Sequence, residues 1–253
     1  MDNIKSINSN LELNPNLSTD CVIFGFDFEK LNVLLIDRGI GSESNNANRL
    51  ALPGNLIYDN ENLDMAASRV LNELTELKDI YLEQVGAFGD PDRISKESDQ
   101  EWLKSIRAKP EARVITVAYY SLVKMDDYAP HASSFAKSAD WYAVNDIHEL
   151  AFDHFEILQA ALKKLKEKIR IQPLGFNLLP EKFTLGQLHK LYEAILEKSL
   201  DKRNFRRKIL KLDILTNLDE KQVGVPHKPS QFFMFNEVNY KKLSETGFDN
   251  FGF

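Results

Sequence analysis

The stretch DKRNFRRKILKL, residues 201–212, decides how the C-terminal part of the chain folds. Its opening aspartate favours a helix start, because the carboxylate accepts free backbone N–H groups of the first turn. Phe205, Ile209 and Leu212 follow at the i, i+4 and i+7 spacing of one helix face. The pattern predicts a short helix with an apolar back and a polar, mostly cationic front. That front carries Lys202, Arg203, Asn204, Arg206, Arg207 and Lys208.

A second helix is predicted directly before the cationic one. Thr184 and Gln187 have the spacing of a capping box, in which the two side chains satisfy backbone N–H groups reciprocally. Apolar residues keep helical spacing from 185 to 195, and a break follows at 198–200. Two short helices in tandem, the second one basic, are typical of a helix-turn-helix, whose second helix enters the major groove of DNA.

Two strands are predicted after the cationic helix. Segments 214–218 and 230–235 flank a turn that would form a wing with His227 and Lys228 at its tip. The pattern predicts a winged helix-turn-helix that binds double-stranded DNA, with arginine reading guanine and asparagine reading adenine. The helix start at Thr184 and Gln187 could also donate to phosphate, although the capping box explains these two residues as well.

The charge distribution sets this part of the chain apart. The whole chain has 32 Lys and Arg against 38 Asp and Glu, a formal net charge of −6, whereas residues 181–242 have 13 against 8. An acidic body with a basic C-terminal module indicates a local anionic partner such as DNA. Two alternatives stay open: the cations pair with acids elsewhere in the chain, or the basic helix binds a protein.

The first half of the chain predicts an α/β domain. Residues 21–37, CVIFGFDFEKLNVLLID, form two apolar runs around a turn near Glu29, which predicts a hairpin. Residues 63–77 place their apolar side chains at helical spacing. Further strands are predicted near 81–85, 112–123 and 141–144, a short helix near 100–106 and a long helix over 151–169.

One segment of this domain, residues 50–77, reads LALPGNLIYDNENLDMAASRVLNELTEL and resembles the Nudix signature. In that signature a glycine-led loop feeds a helix with Arg-Glu and two further glutamates, because a hard divalent cation needs several carboxylate oxygens. Arg69 and Glu73 match the signature. Asn55 stands where the loop glycine is expected, and Glu76 stands at the final glycine.

The metal positions of the resemblance are largely replaced. Val70 and Leu74 stand where glutamates are expected, and with Leu77 they share one helix face that can pack in the core. We therefore expect no catalytic residue, no metal and no cofactor. The alternative is a metal-dependent Nudix hydrolase of ADP-ribose or a related nucleoside diphosphate, which would need unusual ligands such as Glu73 with Glu76 or Glu61.

The chain as a whole resembles the Nudix-related transcriptional regulators, through FGDPDR, VITVAYYSLV, FTL, LYEAIL and LDKRNFRRK. The resemblance covers about residues 21–235. It implies an N-terminal Nudix-like α/β/α sandwich with a mixed sheet that senses a small molecule, and a C-terminal winged helix-turn-helix that binds operator DNA as a homodimer. The expected divisions are a flexible tail 1–18, a sensor domain 19–149, a connector helix 150–170 and a DNA-binding domain 171–253.

Branches of this family respond to ADP-ribose or to pentoses. The chain most resembles the arabinose-responsive branch of Bacteroidetes, which implies a repressor with a pentose effector such as L-arabinose. ADP-ribose is the less favoured effector, because without the expected glutamates no metal ion would neutralise its phosphates. Polar side chains in loops near the pocket of the family fold are the candidate ligand contacts: Arg38, Asn55, Glu73, Asp90 and Arg93.

Cysteine usage and hydropathy bear on the compartment. Cys21 is the one cysteine, so no intramolecular disulfide can form. Residues 1–20 are rich in Asn and Ser and lack the apolar core of a signal peptide, and no apolar run is long enough to span a bilayer. We expect a cytoplasmic protein without a membrane partner.

Overall fold

The computed structural model describes residues 12–39, 49–76, 80–125, 136–226 and 228–248. The chain divides into two compact units. Within the described ranges, the first unit comprises residues 1–24, 33–121 and 128–161, and the second comprises residues 25–32, 122–127 and 162–253.

The first unit is built on most of a seven-stranded sheet. The strands are β1 (Leu13–Phe26), β2 (Leu31–Asp37), β3 (Leu50–Ala51), β4 (Gly54–Tyr58), β5 (Glu83–Phe88), β6 (Ile115–Leu122) and β7 (Ser138–Ala143). The order is β3-β2-β1-β6-β5, with β4 paired to β1 and β7 paired to β2. Helices α1 (Leu63–Thr75) and α2 (Glu97–Ile106) belong to this unit, and α3 (His154–Ile171) begins in it. The predicted hairpin and the predicted Nudix-like architecture with a mixed sheet are confirmed.

The N-terminal boundary differs from the expected one. Strand β1 already begins at Leu13, which pairs with Tyr58 of β4, so the strand includes residues that the expected tail 1–18 contained. The side chain of Asn16 also donates to the Arg113 carbonyl at 2.7 Å. The first residues of this strand are polar and only partly buried, so they carry no hydrophobic signal that would predict a strand.

Helix α1 packs its apolar side in the core of the first unit. Val70 and Leu74 are almost fully buried, so the predicted packing of this helix face in the core is confirmed for these two residues. Leu77 lies outside the described residues. Asn62 caps the helix by accepting from the Met65 N–H at 2.8 Å. At the other end, Glu76 adopts a left-handed conformation with φ 62°, which explains why a glycine suits this position.

The second unit contains a small sheet and four helical segments. Its elements are the end of α3, β8 (Lys182–Thr184), α4 (Leu185–Leu196), α5 (Lys202–Lys211), β9 (Leu215–Lys221), β10 (Gln231–Phe235) and α6 (Glu237–Thr246). The sheet order β8-β10-β9 places the two predicted wing strands side by side as an antiparallel pair. The predicted winged helix-turn-helix is confirmed, and α6 is an addition that the sequence patterns did not indicate.

No helix within the described ranges is both long and apolar enough to cross a membrane.

Candidate DNA-binding surface and effector cavity

Helix α5 turns its cations to solvent because its apolar side is anchored against α4. Phe205 and Ile209 are almost fully buried, and the Phe205 ring meets the Tyr192 ring of α4 edge to face at 5.2 Å. Asp201 caps the helix by accepting from the Asn204 N–H at 2.7 Å. The predicted apolar stripe and the predicted N-cap are therefore confirmed for these residues.

The turn between α4 and α5 is held by a buried histidine. Nε2 of His189 lies 2.9 Å from the Leu200 carbonyl oxygen, and Nδ1 lies 3.2 Å from a carboxylate oxygen of Glu193. Glu193 also accepts from the Leu200 N–H at 2.8 Å. The His189 ring meets Phe205 edge to face at 5.0 Å. These contacts tie α5 to α4 and fix the angle at which α5 is presented.

The exposed front of α5 carries cations that the described chain does not neutralise. Lys202, Arg203 and Arg206 are exposed and have no carboxylate partner among the described residues. Arg207 donates to the side-chain oxygen of Asn204 at 2.8 Å, so these two residues are held together on the helix surface. Ammonium and guanidinium groups without an internal partner are available for phosphates and base edges.

The remaining candidate DNA contacts have different surroundings. The Thr184 N–H donates to the Gln187 side-chain oxygen at 2.8 Å, and the Gln187 N–H donates to the Thr184 hydroxyl at 3.2 Å. The capping box is confirmed, and both side chains are engaged in it. Lys208 is half-buried, Lys228 is exposed after the wing turn, and His227 lies outside the described residues.

The polar side of α1 carries an ion-pair network centred on Arg69. Arg69 donates to both carboxylate oxygens of Glu61, to Glu73 at 2.8 Å and to the Leu56 carbonyl at 3.0 Å. Its guanidinium also lies 4.4 Å from the centre of the Tyr58 ring. Burial alone would raise the pKa of Glu61, but the hydrogen bonds from Arg69 and from the Tyr58 N–H outweigh it and lower this pKa.

The Arg69 network engages two glutamates that a metal-dependent hydrolase would need as ligands. Glu61 and Glu73 are two of the unusual ligands that the alternative requires, and both are neutralised by Arg69. Within the part of the chain that the structure describes, no group of three His, Cys, Asp or Glu side chains is arranged to hold a metal ion.

A buried ion network lies at the start of α3. Arg93 donates to both carboxylate oxygens of Asp153, at 2.8 and 2.7 Å, and to Asp20 at 3.3 Å. Burial would lower the pKa of Arg93, but the two carboxylates outweigh it and raise this pKa. Asp20 also lies so close to Gly54 that a Cβ there would approach its Oδ1 to 1.8 Å, so glycine is required at this position.

A second buried pair lies beside this network. Arg38 and Asp99 pair at 2.9 Å, and neither side chain has exposed surface. The Arg38 guanidinium lies 5.0 Å from the centre of the Trp102 ring and 4.8 Å from that of Phe152. Burial lowers the pKa of Arg38 although Asp99 opposes the shift. The pair joins α2 to the end of β2 and leaves the Arg38 guanidinium enclosed.

His154, the first residue of α3, is part of the same region. Its side chain is buried, and Nδ1 accepts the Leu52 N–H at 2.9 Å while Nε2 lies 3.5 Å from Asp20. Burial lowers the pKa of His154 more than the charge of Asp20 raises it. The ring is therefore neutral near pH 7, with Nδ1 as the acceptor.

These side chains surround a small cavity inside the first unit. The cavity leaves about 20 Å³ for the centre of a water molecule, more than the roughly 10–15 Å³ that one ordered water needs. Apolar side chains from β2, the β3–β4 turn and α2 form part of its wall. Its polar and aromatic lining includes Asp20, Asn55, Arg93, Trp102, Arg107 and His154.

Comparison with known proteins assigns the chain to a family. The model of the NrtR DNA-binding winged helix domain matches residues 175–235. Over 230 residues the chain is 30% identical to the ADPR-responsive transcriptional repressor NtrR of Acinetobacter baylyi, which covers 89% of this chain and 84% of the relative. The chain belongs to the NrtR family.

Solved structures of the NrtR family share the fold. Shewanella oneidensis NrtR matches with a TM-score of 0.67 at 25% identity, covering 88% of this chain and 95% of that chain. The same Shewanella protein in complex with a 27mer DNA matches with a TM-score of 0.68 at 23% identity, covering 89% and 95%. These relatives give no support to the finer resemblance to an arabinose-responsive branch.

The five candidate ligand contacts predicted from the sequence do not lie together in the structure. Asn55 and Arg93 line the cavity, although the Asn55 side-chain oxygen accepts the Leu56 N–H at 2.8 Å. Glu73 is partly exposed and belongs to the Arg69 network, and Asp90 is exposed and accepts the Asp92 N–H in a turn. Arg38 is enclosed by its pair with Asp99.

Several cavity residues escaped the sequence analysis. Asp20, Trp102, Arg107 and His154 come from β1, α2 and the start of α3, so no local motif joins them. One signal was available: Trp102 and Ile106 are four residues apart in the predicted short helix, which indicates a buried face just before Arg107.

Proposed function

We propose that this protein is a transcriptional repressor that binds operator DNA through α5 and is controlled by a small molecule bound in its Nudix-like unit. The observation that carries the proposal is the front of α5. The second helix of a helix-turn-helix holds Lys202, Arg203 and Arg206 exposed and without carboxylate partners among the described residues. A surface of this kind suits the phosphates and base edges of a major groove.

The family relationship supports the same function. NtrR of Acinetobacter baylyi is a transcriptional repressor and is 30% identical over most of both chains. The winged-helix family model also covers the whole span from the approach to β8 through the wing strands. Within the proposal, residues 171–253 act as the DNA-binding domain, residues 19–149 as the sensor and residues 150–170 as the connector. The protein acts as a homodimer on a two-fold operator.

The effector in this proposal is ADP-ribose. The relative NtrR is named for its response to this compound, whereas the pentose effector that the sequence suggested has no support among the relatives described above. A whole nucleotide needs several hundred Å³, so the cavity beside α2 can take only one end of it. L-arabinose and D-xylose remain the competitors that the experiment must include.

The proposal gives the Nudix-like unit no hydrolytic role. Val70 and Leu74 are buried where metal ligands would stand, and Glu61 and Glu73 are held by Arg69. Hydrolysis would require at least one of these glutamates to leave its pair and bind a divalent cation. An assay for magnesium-dependent cleavage of ADP-ribose tests this part separately.

The experiment measures binding of the full-length protein to DNA from upstream of its own gene and its neighbours, by fluorescence anisotropy at one fixed salt concentration. We expect tight, sequence-dependent binding that ADP-ribose relieves and that arabinose and xylose leave unchanged. The double variant Arg203→Ala/Arg206→Ala should lose operator binding, whereas Lys241→Ala, which removes an exposed cation of α6, should retain it.

The outcomes are separable. Absence of sequence-dependent binding under every condition would overturn the repressor, and relief by a pentose instead of ADP-ribose would overturn only the effector. Equal loss of binding in Lys241→Ala would show that net charge, and not α5, governs the interaction.

A further inference from the structure

Arg107 is a half-buried arginine of the first unit that, unlike Arg38 and Arg93, has no carboxylate partner among the described residues. It follows directly after the end of α2 and lines the cavity. Its Nε and Nη1 atoms are buried, and neither has a hydrogen-bond partner among the described residues. Buried donors of a charged group are costly to leave unpaired, so such a group in a native fold calls for a partner beyond the described residues, such as a water molecule or a ligand.

The neighbouring carboxylates do not supply that partner. Asp153 accepts two hydrogen bonds from Arg93, and Asp20 accepts a third. Asp99 is paired with Arg38 at 2.9 Å. These three acids are therefore paired with Arg93 or Arg38, and none of them is paired with Arg107.

The electrostatic environment of Arg107 also favours a bound anion. Burial is the largest cause that lowers the pKa of Arg107 to about 10; the charge of Asp20 opposes this shift, and the charge of Arg93 adds to it. The folded protein thus holds a guanidinium whose charge is incompletely compensated. An oxyanion beside it would restore the balance.

We propose that Arg107 is the anion-binding residue of the cavity and that the effector presents a phosphate or carboxylate group to it. The inference rests on the proposed sensor function of the Nudix-like unit. The cavity beside Arg107 is small, with about 20 Å³ for the centre of a water molecule, and the side chains of Trp102 and Asn55 and an apolar wall surround it. A planar guanidinium binds phosphate and carboxylate groups with the same hydrogen-bond geometry. Binding assays with both kinds of ligand are therefore needed to tell which group the effector presents.

The test uses isothermal titration calorimetry on the full-length protein with two matched pairs of ligands. D-ribose 5-phosphate is compared with D-ribose, and L-arabinonate with L-arabinose, and ADP-ribose is titrated as the proposed effector. We expect at least one anionic ligand to bind the wild-type protein better than its neutral counterpart. In Arg107→Gln that ligand should bind about 10- to 100-fold more weakly, as for a lost hydrogen bond to a charged group. Arg107→Lys should retain part of the affinity.

A matched control separates this role from general charge. Arg113 is an exposed arginine of the same unit that donates to the Gly89 carbonyl, and Arg113→Gln should bind every ligand as the wild type does. Thermal denaturation without ligand gives a second readout. Arg107→Met should melt at the same or a higher temperature than the wild type, because it removes an uncompensated buried charge, and anions should no longer raise its Tm.

Equal affinity of an anion for wild type and Arg107→Gln would overturn the inference, and so would anions that fail to bind the wild type. A clear fall in the ligand-free Tm of Arg107→Met would also count against it, since that indicates a structural role. Failure of the repressor proposal looks different: operator binding is absent while Arg107-dependent anion binding persists.

Discussion

The buried arginines of the Nudix-like unit and the exposed cations of α5 use the same chemistry for opposite purposes. Arg38 and Arg93 are enclosed and each is paired with carboxylates, from Asp99 and from Asp153 with Asp20. Arg203 and Arg206 are exposed and have no such partner within the described residues. A paired, buried cation holds elements together, whereas an exposed cation without a partner is available to a ligand. Environment, not residue type, therefore indicates which arginines serve binding.

The largest expected effect comes from breaking the buried network. Arg93→Ala leaves Asp153 and Asp20 without their cation in a buried site, so we expect the free energy of unfolding to fall by roughly 3–5 kcal/mol. Urea denaturation followed by circular dichroism measures the change. Arg113→Ala, in an exposed position of the same unit, should cost less than about 0.5 kcal/mol. If the two variants were equally stable, the buried pairs would have no structural role.

The opposite pattern is expected for α5. Arg206→Ala removes an exposed cation, so stability should change by no more than about 0.5 kcal/mol. Operator affinity should fall by roughly 1–3 kcal/mol if Arg206 reads a base, or the slope of log affinity against log salt should drop by about 1 if it contacts a phosphate. Anisotropy titrations over a salt series distinguish these results. A destabilised Arg206→Ala variant with unchanged DNA binding would show that Arg206 has a structural role and not a binding role.

A smaller effect on stability is expected from lowering the pH, because a buried histidine, His154, is neutral in the folded protein. The pKa of His154 is lowered in the folded protein, so the unfolded chain binds more protons as the pH falls below about 6.5. The stability that the neutral ring contributes is therefore complete above that pH and is lost as the pH falls towards the folded pKa. Melting temperatures between pH 7.5 and 5.5 should decline, and the decline should be shallower in His154→Gln.

The smallest effect is expected at the partly exposed pair of α1. Glu73→Gln breaks an i, i+4 pair with Arg69, but Glu61 continues to neutralise the arginine. The loss should be about 0.3–0.5 kcal/mol and should shrink further in high salt. Glu61→Gln should cost more, because this carboxylate is more buried and holds two bonds from Arg69. Equal losses at both positions would contradict the role of burial in the comparison.

Much of the fold could be predicted because its signals are local. The apolar stripe of α5, its aspartate cap and the Thr184–Gln187 capping box involve residues only a few positions apart, and each of them is confirmed. The packing of Val70 and Leu74 followed from helical spacing for the same reason. Strand β1 was predicted too short at its start, because its first residues, such as Asn16, are polar and carry no hydrophobic signal.

The cavity could not be predicted in the same way. Arg93 and Asp153 are 60 residues apart, and Arg93 and Asp20 are 73 apart, so no spacing rule connects them. His154 stands in the first turn of a helix, a position that gives no sign of burial, yet its ring is enclosed by residues from other elements. Candidate ligand contacts such as Arg38 and Asp90 were chosen by residue type, which does not indicate whether a partner already occupies the group.

The sequence by itself determined the two-part architecture, the cationic second helix and the buried apolar face of α1, because periodicity, capping and charge are properties of neighbouring residues. Only the tertiary structure decided which charges are paired. It enclosed Arg38 and Arg93 with their acids, placed Arg107 in the cavity without a partner among the described residues, and left the front of α5 open. The physical reason is that a charge is stabilised by whatever lies within a few Å of it, and long-range contacts set those neighbours.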